Sequence, residues 1–107
     1  MTSELPAGIS DVIVGINTED PSLFQGAFTD DAVVDDWGRT FRGPEAIAGW
    51  NRTDNLDKHT RVRVTGYDRR GDAHAVAIDV SGGGFHGAGT FTFRLADDGR
   101  VSRLDVT

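Results

Sequence analysis

Residues 28–50, FTDDAVVDDWGRTFRGPEAIAGW, decide how the rest of the chain is read. An acidic turn leads into the apolar run Ala32-Val33-Val34, which ends at once in Asp35, Asp36 and Trp37. A short buried strand that ends in paired carboxylates beside an indole describes the mouth of a small-molecule pocket. The basic stretch after it reads as a loop. Gly43-Pro44-Glu45 predicts a helix start, because proline's missing N–H costs nothing at the first helical position and Glu45 meets the positive end of the helix dipole. Ile47 and Trp50, three residues apart, then share one helical face.

Toward the N-terminus, Leu5, Ile9, Val12, Ile13 and Ile16 form a helical stripe. Ser3 is the candidate cap, and Pro6 is tolerated only in the first turn. Gly8 and Gly15 weaken this helix, so packing has to hold it. Asp20-Pro21 predicts a second short helix, an N-cap followed by proline, with Leu23, Phe24, Ala27 and Phe28 as its apolar face.

Toward the C-terminus, Asn51 to Lys58 is polar and reads as a loop. Beyond it the apolar period becomes two. Thr60, Val62 and Val64 mark one strand, Val76, Ile78 and Val80 a second, and Phe91, Phe93 and Leu95 a third. Val101, Leu104 and Val106 mark a last strand after the hairpin turn Asp97-Asp98-Gly99. Helices followed by hairpin-linked strands are an α+β pattern. The expected architecture is a curved, mainly antiparallel sheet with the N-terminal helices on its concave face. Such a sheet encloses a cone, and Gly87 and Gly89 are the expected bend points.

Composition narrows the function classes. A chain of 107 residues is one domain, spanning 1–107, and buries a core without staples. Cysteine is absent, which removes disulfides, thiolate catalysis and Cys-ligated metals. A formal net charge of −6, with scattered basic residues and a lone lysine at Lys58, argues against a nucleic-acid partner. No apolar run approaches the ~18 residues of a membrane span, and no basic region precedes the first apolar residues as in a signal peptide. The expected setting is cytoplasmic.

The phenylalanine-x-Asp-Asp-Ala turn, the short strand and the Gly-Pro-Glu-x-Ile helix resemble the nuclear transport factor 2-like superfamily. Its SnoaL-like and ketosteroid-isomerase-like branch is the nearest. The resemblance is specific over Phe28 to Trp50 and extends to the other elements in their order only. It implies a cone-shaped fold with an apolar pocket, chemistry without a cofactor, a small hydrophobic ligand and a homodimer paired through the flat outer sheet face. It also places Asp36 where such isomerases carry their general-base aspartate. Proton abstraction beside a carbonyl needs a carboxylate made more basic by an apolar wall, for which Trp37 and Trp50 are the candidates. Two departures matter: the tyrosine position of those enzymes falls at Val12 and their second acid falls at Phe91. The oxyanion-stabilising pair is therefore missing, and with it the case for steroid isomerisation.

SnoaL-type cyclases use an acid on a later strand, where this chain offers Asp79 and His86. Alternation points Asp79 away from the pocket, toward Arg61 or Arg63 as a cross-strand partner. His86 becomes a second candidate acid or base only if a bulge among the glycines turns it inward. Phe24, Phe28, Phe91 and Phe93 either line the hollow with the tryptophans or fill it. His59, His74 and His86 lack the spacing of metal ligands. Gly82, Gly84 and Gly87 spell a dinucleotide fingerprint, but a strand follows them where that site needs a helix. Two function classes follow. One is a cofactor-independent isomerase, cyclase or dehydratase acting on a small hydrophobic carbonyl compound, with Asp36 as base. The other is a non-catalytic ligand-binding or dimerisation module on the same scaffold.

Overall fold

A computed structural model describes residues 5–107, so the proposed cap at Ser3 lies outside the described residues. Helix α1 spans Ala7–Asn17 and buries the Ile9, Val12, Ile13 and Ile16 stripe. Helix α2, Pro21–Gly26, is capped as its sequence implies: the Asp20 carboxylate accepts from the Leu23 N–H at 3.0 Å. The two helices meet at Gly15, where an added Cβ would lie within 2.8–2.9 Å of Phe24. That glycine therefore weakens α1 locally and permits its contact with α2.

Strands β1 (Phe28–Asp36) and β2 (Arg39–Arg42) form a hairpin, so the expected basic loop is an edge strand. Helix α3, Gly43–Asn51, starts at Gly43-Pro44 and runs directly into a π-helical turn, Arg52–Leu56. The polar segment read as a loop is thus largely helical. It lacks an apolar stripe because it lies at the rim of the fold.

Strands β3 (Arg61–Arg70), β4 (Ala73–Gly82), β5 (Phe85–Leu95) and β6 (Val101–Val106) complete one sheet, in the order β2-β1-β6-β5-β4-β3. Every neighbouring pair is antiparallel except β1 with β6. The result is the expected α+β arrangement, with helices across the inner face of a curved, mostly antiparallel sheet. Among the described residues, no helix is long and apolar enough to cross a membrane.

No bulge falls at Gly87 or Gly89. β4 and β5 pair without interruption from Ala73 and Arg94 to Gly82 and Phe85. Register shifts fall instead between Val64 and Gly66 on β3, between Phe28 and Val33 on β1, and opposite Arg94 and Leu95, where Ser102 is the extra residue on β6. The first inserts Thr65 and reverses the inward parity of β3, because one extra residue moves every later side chain to the other face. Tyr67, opposite Val76, consequently points inward. The free edge of β3 is capped by α1 at Val62, where the Asn17 amide donates to the Val62 carbonyl at 2.8 Å and accepts from its N–H at 2.7 Å. A side-chain amide thereby takes the place of a further strand.

At the narrow end of the cone, His74 is buried and its Nδ1 shares a 2.7 Å hydrogen bond with the Tyr67 hydroxyl. Burial, helped by the charge of Arg69, holds the imidazole below its ordinary pKa. Below about pH 6.5 the unfolded chain therefore takes up a proton that folded His74 refuses, and stability falls with pH until the folded imidazole also titrates. The urea midpoint should drop between about pH 7.5 and 5.5, and His74→Gln should shrink that drop. An unchanged pH dependence in the variant would remove His74 as its source.

Candidate functional site

The wide end of the cone is open. Its cavity, about 180 Å³, is lined by Asp36, Trp50, Asp54, Asn55, Lys58 and Thr60 on one side. Val62, Val80, Gly82, Phe85, Phe91 and Val106 form the other. β1 delivers Asp36, α3 delivers Trp50, and the π-helical turn brings Asp54 and Asn55 beside them. A π turn at this point fits the tendency of such turns to occur at functional positions.

The Asp36 side chain is 13% exposed. Its Oδ2 accepts from the Trp50 indole N–H at 3.0 Å and from the Arg39 guanidinium. Its Oδ1 has no hydrogen-bond partner among the described residues. The same Arg39 nitrogen bridges to Asp54, so the two carboxylates share one cation. Burial pushes the Asp54 carboxyl up, but the hydrogen bonds from Arg39 and Thr53 and the charges of Arg39 and Lys58 outweigh it and hold the group below its ordinary value. The bridge in turn raises the Arg39 pKa, through Asp54 first and Asp36 second.

Of the residues singled out from sequence, Asp36, Trp50 and Phe91 meet at this cavity. Trp37 does not wall it. Its backbone turns through a positive φ of 52° between β1 and β2, and its side chain is exposed. Phe24, Phe28 and Phe93 lie deeper and fill the hollow. Phe24 packs on Phe28 at a ring separation of 5.0 Å and on Trp50 at 6.2 Å, and Phe93 meets Phe91 edge-on at 5.9 Å. The hollow is therefore packed at its floor and open at its mouth.

His86 stands apart from Asp36. With no bulge between β4 and β5, it pairs with Ser81 and shares the outward parity of Asp79. It borders a separate recess at the β3 edge, with Arg61, Arg63 and Asp79. Asp79 is ion-paired with Arg63 across the strands, as alternation implied. Sequence reading passed over Asp54, Asn55, Lys58, Thr60 and Phe85. The only local signal for Asp54 was its position four residues after Trp50, one helical turn on.

Element order and strand order together define a nuclear transport factor 2-like protein. The model of the SnoaL-like domain family matches residues 10–104, and the chain belongs to that family. No curated protein matches the sequence significantly. Among solved structures, a candidate polyketide cyclase from Sinorhizobium meliloti superposes with a TM-score of 0.92 at 26% identity, over 100% of this chain and 99% of that one. The Δ5-3-ketosteroid isomerase of a Mycobacterium species gives 0.83 at 21% identity, covering 94% and 89%. A Mycobacterium tuberculosis protein in complex with estradiol-17β-hemisuccinate gives 0.83 at 17% identity, covering 92% and 88%. The last two share the fold with this chain.

Proposed function

We propose that this protein is a cofactor-independent enzyme that moves a proton on a small, largely apolar carbonyl compound, as an isomerase, cyclase or dehydratase, with Asp36 as general base. The observation that carries this reading is the asymmetric holding of the Asp36 carboxylate at the cavity wall. The buried indole of Trp50 and the guanidinium of Arg39 both grip Oδ2, leaving Oδ1 able to accept a proton. Arg39 is the removable partner: its side chain is 56% exposed, and exposed ion pairs contribute only about 0–1 kcal/mol. Trp50 keeps the carboxylate oriented when Arg39 swings away. The likeness to a candidate polyketide cyclase supports the same class of chemistry.

Cavity size bears on the substrate. About 180 Å³ is below the ~300–1,000 Å³ of pockets for drug-sized ligands, which favours a compact ring or short chain over a steroid. Phe91 adds an apolar wall where the resemblance would have placed a second acid.

The second reading, a non-catalytic binding module, is favoured by the bridge through Arg39, which already holds Asp36 in an ion pair. A panel of small cyclic ketones and β-keto esters in D₂O separates the two. Proton NMR reads α-carbon exchange, and saturation transfer reads binding. Exchange above the buffer rate supports the enzyme, whereas saturation transfer without exchange supports the binding module.

The reading includes a homodimer paired through the outer sheet face. There Ala75 opposes Thr92 and Ala77 opposes Thr90, a flat surface of small side chains. Sedimentation velocity should find a dimer that Ala77→Arg converts to monomer, and a monomeric wild type would refute this part.

A further inference from the structure

Phe85 is a large aromatic residue that is 61% exposed and also lines the cavity. It opens β5 directly after Gly83 and Gly84, whose φ values of +56° and +84° satisfy the two-residue hairpin that demands positive φ at both central positions. Unbroken pairing along β5 gives Phe85, Gly87, Gly89, Phe91 and Phe93 one parity, so all five face the interior of the cone. The phenylalanines at the lower end are buried, and the two glycines leave a gap above them.

The Phe85 ring leans into that gap. A Cβ built on Gly87 would lie 2.8 Å from the ring's Cζ and 3.3 Å from its Cε2. No side chain larger than hydrogen fits at position 87 while the ring keeps its place. Gly87 has no positive φ, so space rather than backbone conformation is what this position requires. We infer that Phe85 is the roof of the pocket, the residue that controls access to Asp36 and Trp50 and limits ligand size, and that Gly87 is the seat that holds it there.

This assignment rests on the reading of the cavity as the ligand site, and a ligand-free measurement tests it separately. The chain has two tryptophans: Trp50 on the cavity wall, 4% exposed, and Trp37 at the surface, 76% exposed. In a Trp37→Phe background, Trp50 alone reports quencher entry into the cavity. With acrylamide as quencher, Phe85→Ala should raise the Stern–Volmer constant of Trp50 several-fold. Gly87→Ala, which leaves Phe85 in the sequence but displaces its ring, should raise it in the same direction. Equal quenching with and without the Phe85 ring would overturn the roof. So would Phe85→Ala raising it while Gly87→Ala does not, because the ring would then not depend on its seat. The quenching measurement uses no ligand and no turnover, whereas α-carbon exchange in the wild type judges Asp36, so failure of the roof and failure of the proposed chemistry are distinguishable.

Discussion

Asp36→Asn is expected to slow α-carbon exchange by roughly 10²–10⁴-fold, the usual contribution of a positioned general base, while leaving fold and ligand binding close to wild type. The substitution is isosteric. The amide oxygen can take the position of Oδ2 and go on accepting from the Trp50 indole and Arg39, and the amide NH₂ then occupies the position of Oδ1. An amide nitrogen in that place cannot receive a proton from carbon. The lost ion pair with Arg39 costs little, because the guanidinium is largely exposed and keeps Asp54. Circular dichroism and saturation transfer should therefore be unchanged as exchange collapses. If exchange persists in the variant, Asp36 is not the base, and Asp54 becomes the carboxylate to test.

The second large effect concerns stability. Phe24→Ala should cost roughly 3–5 kcal/mol, the range for removing a fully buried aromatic side chain. Phe24 is completely buried between Phe28 and Trp50 and lies against Gly15 of α1. Its loss would leave a void at the junction of α1, α2 and α3 that rigid neighbours cannot fill. Against a typical total of about 5–15 kcal/mol, such a loss brings the domain near the edge of folding. The denaturant midpoint should fall sharply with little change in slope. Phe85→Ala, an exposed aromatic, should stay within about 0.5 kcal/mol of wild type. A mild effect at Phe24 would mean that the aromatic floor is looser than its packing implies. The comparison also separates the phenylalanines that build the cone from those that border its contents.

Much of the scaffold is legible because its signals are local. The stripe of α1, the Asp20-Pro21 start of α2, the Gly-Pro-Glu start of α3 and the period of two from Thr60 onward each occupy a few residues and reflect the geometry of one element. Asp36 and Trp50 were legible in the same way, as the end of a short apolar strand and the last apolar position of the following helix. The resemblance to SnoaL-like proteins rested on that stretch, and the family match covers most of the chain around it.

Other features lacked a local sign. β2 reads as a loop because Arg39-Thr40-Phe41-Arg42 is a four-residue edge strand with one apolar side chain. The π-helical turn is polar because it borders open space. The extra residue at Thr65 is visible only in the pairing of β3 with β4, yet it decides that Tyr67 reaches His74. The absence of a bulge near Gly87 turns His86 outward and Phe85 inward, opposite to what chemical interest in histidine would suggest.

The sequence by itself determined the α+β class, the order of elements and the strand that carries the acid, because hydrophobic periodicity and end-capping act over a turn or a pleat. Tertiary structure decided which aromatics are floor and which are wall, which arginine meets which carboxylate, and that a glycine gap admits an aromatic roof. Those depend on depth within the cone and on strand register, and both are set only when segments distant in sequence pack together.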